Sequence, residues 1–185
     1  MVRGLHASTA LVLGLSLAWT FEAPALAQII PDETLGSEGS RLTPNVQIRG
    51  DLADRIDGGA TRSSVLFHSF SEFNVGDAQR VYFSNPTGIE SILSRVTGSD
   101  ISDIMGTLGV DGTADLFLLN PNGIVFGENA RLDIAGSFMA TTADRFVFED
   151  EQAFSAIAPD APPLLTVNVS PGLQWGGDQK KNKKK

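Results

Sequence analysis

The stretch Leu116-Phe117-Leu118-Leu119-Asn120-Pro121-Asn122-Gly123-Ile124-Val125-Phe126-Gly127 decides the architecture. An apolar run ends in a four-residue turn, and a second apolar run starts at once. Asn at the first turn position accepts a hydrogen bond from the backbone two residues on. Pro fixes φ at the next. Asn suits the third, and Gly at the fourth can take a positive φ. Leu116–Leu119 does not alternate with polar residues, so this strand is expected to be buried on both faces.

Working outward, short runs of β-branched, aromatic and Leu residues recur between Gly, Asn, Asp, Ser and Pro. Strands are expected at Val46–Ile48, Val65–Phe67, Arg80–Phe83, Ile92–Val96, Leu116–Leu119 and Ile124–Phe126. Four more fall at Arg131–Ile134, Ser137–Ala140, Phe146–Phe148 and Leu165–Val169. In Arg131–Ile134, Leu132 and Ile134 face one way, Arg131 and Asp133 the other. Asp100–Met105 spaces Ile101, Ile104 and Met105 at three and four, so a short helix and a strand–turn both fit. Asn85-Pro86-Thr87-Gly88 echoes the turn at Asn120–Gly123. Repeated strand–turn–strand units suit a solenoid, although a sandwich uses such turns too.

Composition narrows the function. The 185 residues carry a formal charge of −8. All five lysines lie in the last six residues, and Gln28–Gln179 has 8 Arg against 21 Asp and Glu, a net of −13. Such a body repels phosphates, which argues against nucleic-acid binding. The absence of Cys removes disulfides, thiol catalysis and Cys-ligated metal. Two histidines, His6 and His68, are too few for a multi-histidine metal site. No cofactor is implied.

Residues 1–27 read as a signal peptide. Arg3 and His6 precede the apolar run Thr9–Ala18, and Ala25-Leu26-Ala27 supplies a small-x-small cleavage site before Gln28. The apolar run is shorter than the roughly 20 residues a membrane span needs. No stable membrane insertion is expected after cleavage.

His68 lies between Phe67 and Phe70 without a G-x-S-x-G elbow anywhere, so a packed structural role outweighs a catalytic one. Asp51, Asp54 and Asp57, and Glu149-Asp150-Glu151, match no calcium-loop pattern and read as solvated loop charge. Asn168-Val169-Ser170 is read as a chance glycosylation sequon. Phe67, Phe70, Phe73, Phe83, Phe117, Phe126, Phe138, Phe146 and Phe148 are expected to stack within a core, and Trp175 to sit at an edge or cap.

Beyond these readings, four segments together carry a resemblance. They are Leu66–Val75 (LFHSFSEFNV), Ile92–Gly98 (ILSRVTG), Leu116–Gly127 and Gly136–Ala143 (GSFMATTA). Pro162–Val169 and Gly172–Gly176 extend it. In this order they resemble the filamentous haemagglutinin N-terminal domain, the two-partner secretion (TPS) domain of large Gram-negative exoproteins, in a wording close to cyanobacterial versions. The resemblance implies an all-β fold: a right-handed parallel β-helix over residues 28–176, capped by N-terminal strands and carrying extra-helical hairpins. It implies a non-enzymatic role. After Sec export the domain is recognised in the periplasm by a TpsB-type (Omp85-type) outer-membrane β-barrel with POTRA modules. The protein then reaches the cell surface or medium, and the domain nucleates the β-helix of an adhesin-like passenger. A host or surface glycan would be bound through that passenger. Asn120, Pro121, Asn122 and Gly123 match the family's NPNG motif, as transporter contact or as structural turn. Asn85, Pro86, Thr87 and Gly88 only approximate its second motif. A stand-alone β-helix protein that binds or cleaves polysaccharide is the alternative, and a short adhesin a third reading.

At about 20 residues per coil, the 158 residues after cleavage predict seven or eight coils. Residues 177–185 read as a disordered Lys-rich tail. A lysine-only tail on a lysine-free body suggests a truncated or frameshifted frame, or an appended tag.

Overall fold

The computed structural model describes residues 28–148, 152–160 and 172–174. In chain order it contains β1 (Ile29–Pro31), a 3-10 turn (Gly36–Glu38), β2 (Ser40–Ile48), β3 (Asp51–Gly58), β4 (Ala60–Arg62) and β5 (Val65–Phe73). Then follow β6 (Arg80–Ser84), β7 (Ser91–Val96), β8 (Ser102–Ile104), β9 (Thr107–Asp111) and β10 (Asp115–Leu119). The rest are β11 (Ile124–Phe126), β12 (Arg131–Asp133), β13 (Phe138–Thr141), β14 (Arg145–Val147), β15 (Ala153–Ser155) and β16 (Gly172–Gln174).

The chain winds as a parallel β-solenoid of about four turns. Sheet A stacks β5, β7, β10 and β13 in parallel; sheet B stacks β3, β6, β9 and β12; sheet C pairs β8 with β11. Leu66, Ile92, Leu116 and Phe138 are register partners down sheet A, 26, 24 and 22 residues apart. These coils are longer than the expected 20 residues. In addition, residues 29–62 form capping strands and β14–β16 a separate antiparallel sheet, so the number of turns falls well short of seven or eight.

Alternation in β5, β7 and β10 sorts the core in two. Leu66, Phe70, Ile92, Val96, Leu116 and Leu118 point into the solenoid with Ile56, Val81, Phe83, Leu108 and Val110 of sheet B. Phe67, Leu93 and Leu119 point outward, where Phe146, Phe148 and Phe154 of the extra-helical hairpin cover them. Sheet A is therefore buried on both sides, as the unbroken run Leu116–Leu119 requires.

The outer face of sheet B is stapled instead by polar groups. Tyr82 lies across Gly109, where a Cβ would collide with its ring. The Tyr82 hydroxyl donates to Asp133 Oδ2 at 2.6 Å and accepts from Arg80 Nη2 at 2.8 Å. Arg49 pairs with Asp133 and donates to Val110 O at 3.0 Å. One cluster thus links the β2–β3 turn to β6, β9 and β12.

Two local readings are decided by the structure. Asp100–Met105 is not helical; Ser102–Ile104 is strand β8, parallel to β11. Inward Ile104 is buried while Ile101 is exposed, so the three-residue spacing spans a corner of the coil rather than one helix face. Asp51, Asp54 and Asp57 lie along strand β3, not in a loop. Asp57 accepts from Thr43 and Arg55, and Asp54 from the Asn45 backbone. The signal segment with Ala25 and Ala27, the strand expected at Leu165–Val169, Glu149–Glu151, the Asn168 sequon, Trp175 and residues 177–185 lie outside the described residues.

Candidate functional site

Asn120–Gly123 turns the chain from sheet A into sheet C. The Asn122 backbone N–H donates to Asn120 Oδ1 at 3.0 Å, and Gly123 N–H to Asn120 O at 3.1 Å. Gly123 has φ +131°, a region that L side chains disfavour. These are the local bonds that the residue types predict. The Asn120 side chain does more. It is fully buried, and its Nδ2 donates to Asp100 O and to Ser102 Oγ of the preceding coil, both at 3.0 Å. Asn122 Nδ2 donates to Gly98 O at 2.8 Å. The tetrad therefore stitches its own corner to the corner above. Asn122 remains exposed, and Pro121 and Gly123 are half-buried.

Asn85–Gly88 performs a related task elsewhere. It joins sheet B to sheet A, so it is not the same corner one coil earlier. Ile89 N–H donates to Pro86 O at 3.1 Å, and Gly88 has φ +88°. Asn85 Oδ1 does not cap its own turn. It accepts from Thr113 and Ala114 N–H of the next coil, at 2.9 and 3.0 Å. Gly112 is needed beside it, since a Cβ there would strike the Asn85 side chain. The two motifs share chemistry, not position in a repeat.

His68 is fully buried and points into the solenoid above Ser94, its register partner. Its Nδ1 lies 2.9 Å from Ser40 Oγ, and its Nε2 has no hydrogen-bond partner. Burial pushes its pKa down to about 3, only weakly opposed by the charge of Asp57. A neutral imidazole with no route to solvent fits a packed structural residue. Among the described residues, no three His, Cys, Asp or Glu side chains come together as a metal site.

Sequence reasoning passed over one buried cluster. Arg95 of β7 is fully buried on the outer face of sheet A. Its Nε donates to Ser69 Oγ, its Nη1 to Ser155 O, and its Nη2 to Thr34 Oγ1 and Asp160 O, each at 2.8 Å. The guanidinium also lies 4.0 Å over the Phe154 ring. Burial lowers its pKa to about 10. Asp32 stands one hydroxyl away, accepting from Thr34, Ser69 and Thr97 at 2.6 to 2.7 Å. Burial alone would raise the Asp32 carboxyl; those hydroxyls and the Thr34 N–H outweigh it and hold it below the usual range. An outward Arg in a strand reads as solvent-facing. The available signal was apolar Phe67 and Leu93 on that same outward face, which means the face is covered.

Among the described residues, no strand pairs with the far side of the last coil. β11, β12 and β13 are the terminal strands of their sheets on one side. Val125, Phe126, Leu132 and Met139 on them are exposed by 41–49%. Leu132 is in register with Leu108, which is fully buried one coil higher. At the other end, β1 and β4 cover the free edge of β5, and the β2–β3 hairpin closes sheet B.

The described residues form a solenoid capped at its start, with rung-stitching asparagine corners and a hairpin docked outside it. The chain belongs to the TPS secretion domain family, whose model matches residues 27–184. It is the secretion-targeting domain of a two-partner secretion exoprotein. Among solved structures, that of a filamentous haemagglutinin secretion domain aligns with TM-score 0.50 and 22% identity, over 63% of this chain and 43% of that one. Two heme/hemopexin-binding proteins of Haemophilus influenzae are similar, at 35% identity over 89 residues and 32% over 101. Those stretches are 48% and 54% of this chain but only 9% and 10% of the relatives. The chain thus matches about a tenth of the length of these curated relatives. Proteins of this kind are secreted or held at the cell surface, and a TpsB-type transporter is their general partner. No helix among the described residues is long and apolar enough to cross a membrane.

Proposed function

We propose that this module is the folded address of a larger, non-catalytic surface protein. Residues 1–27 direct Sec export and are cut before Gln28. In the periplasm the POTRA modules of the outer-membrane transporter read the chain through its strand edges, by β-augmentation. Outside the cell the open rung β11–β13 templates the next coil of an adhesin-like passenger, which would carry any glycan-binding surface.

The observation that carries this reading is the contrast between Leu108, buried, and its partner Leu132, exposed on an edge strand that pairs only with β9 among the described residues. A strand that leaves its N–H and C=O groups and its apolar side chains unpaired has the form of a template. Asn120–Gly123 serves this function through the fold: Asn120 is enclosed and fully bonded, which supports a stitch rather than a transporter contact. The same enclosure, together with the buried state of His68, favours the non-catalytic role over polysaccharide cleavage. The test is co-expression of the full chain with its transporter. The module is expected in the medium only when the transporter is present. Retention in the periplasm in both cases would refute the proposal.

A further inference from the structure

The Arg95 cluster joins two segments that are far apart in the chain. Thr34 lies 61 residues before Arg95, and Ser155 lies 60 after it. Arginine can only donate hydrogen bonds, and a carboxylate can only accept them. Ser69 and Thr34 must therefore each turn their hydroxyl hydrogen toward Asp32 and their lone pairs toward the guanidinium. Asp32 sets both hydroxyls and supplies the countercharge at one hydroxyl's remove. The other half of the guanidinium is met from the extra-helical segment, by the carbonyls Ser155 O and Asp160 O, the face of Phe154 and the nearby charge of Asp160.

We propose that Arg95 is a two-ended latch that couples the seating of Ile29–Thr34 to the docking of the β14–β15 hairpin. With either side missing, a buried cation keeps unsatisfied N–H groups, which is costly. Each side thus lowers the cost of the other, and the coupling is reciprocal. The hairpin is also the cover for Phe67, Leu93 and Leu119. An unlatched module exposes that apolar face, and the closed state forms only once the chain has been delivered as far as residue 160.

The test is native-state hydrogen exchange on the full chain, comparing wild type with Asp32→Asn, Thr34→Val and Phe154→Leu. In the first two variants the amides of Phe148 and Ala156, bonded to Gln152 O and Asp144 O, are expected to exchange about tenfold faster, a typical coupling factor. In Phe154→Leu, the Asp32 amide, bonded to Ser69 O, is expected to accelerate by a similar factor. The Leu116 and Gly127 amides, bonded to Ser137 O and Ile104 O, serve as controls and are expected to keep their rates. Unchanged hairpin exchange in Asp32→Asn and Thr34→Val would overturn the latch. So would equal acceleration of the controls, which marks general loosening, or an Asp32 amide indifferent to Phe154→Leu.

Discussion

The two ends of the solenoid are built on opposite rules. At the start, edges are guarded. Pro31 sits in β1 beside a register shift, and Pro44 sits in β2 within the irregular stretch Thr43–Val46. Proline donates nothing to a ladder, and bulges bend an edge away from partners. At the finish, β11, β12 and β13 carry neither proline nor a bulge, and Phe126 and Leu132, in register with inner-core Ile104 and Leu108, face solvent. Under the proposed function the difference is one of direction: the N-terminal end is built to resist growth, and the described far end to receive the next coil.

Stability measurements can break that contrast. Leu108→Ala and Leu132→Ala alter register partners on the same inward column. The first should cost about 3 kcal/mol, a typical large-to-small core penalty. The second should cost less than about 1 kcal/mol, because half of Leu132 is already in water. Equal losses in urea unfolding would mean that the last coil is closed. Asn120→Ala removes bonds to two groups of the coil above and leaves the Ser102 hydroxyl buried without that donor, and should cost about 2 kcal/mol. If denaturant unfolding shows Asn120→Ala to be neutral, the corner is not a stitch.

Acid probes the guarded end through His68, whose Nδ1 meets Ser40 of the capping hairpin. Its folded pKa, about 3, lies below the ordinary 6.5. The contribution of the neutral ring is therefore complete above pH 6.5 and is lost as pH falls from 6.5 toward 3, because only the unfolded chain takes up the proton. From pH 7 to pH 5 the loss is about 2 kcal/mol. His68→Leu should flatten this slope; a wild-type stability level between pH 7 and 5 would contradict it. The smallest effect is expected for Pro44→Thr. Monomer stability should change by about 0.5 kcal/mol or less, while sedimentation should show new self-association through the unguarded edge. A strictly monomeric variant would mean that Pro44 does not guard it.

Strand–turn spacing announced an all-β chain, the family resemblance selected a solenoid over a sandwich, and the turn chemistry of Asn120–Gly123 was readable from its residue types. What the sequence hid were relations between coils. Local turn residues specify a bend but not which corner it makes, so Asn85–Gly88 and Asn120–Gly123 look like a repeat and are not. The coil count was overstated because capping strands and an external hairpin use the same β-forming residues as rungs. Arg95 escaped notice because its burial depends on the hairpin beginning about fifty residues later; outward Phe67 and Leu93 signal that the face is covered, but not by which segment. Leu132 alternates as a core residue should, yet it is half exposed, since among the described residues no coil lies beneath it.

Under the proposed function the transporter receives a folded-module address in which Asn120 acts through stability. The most direct measurement compares secretion into the medium, with the transporter present, of wild type, Asn120→Ala and Leu108→Ala, each plotted against its measured stability. The account predicts that both variants fall on one line, with secretion lost only as stability is lost. Asn120→Ala falling far below the line, unsecreted at a stability where Leu108→Ala is still exported, would contradict it and make the turn itself the recognised element.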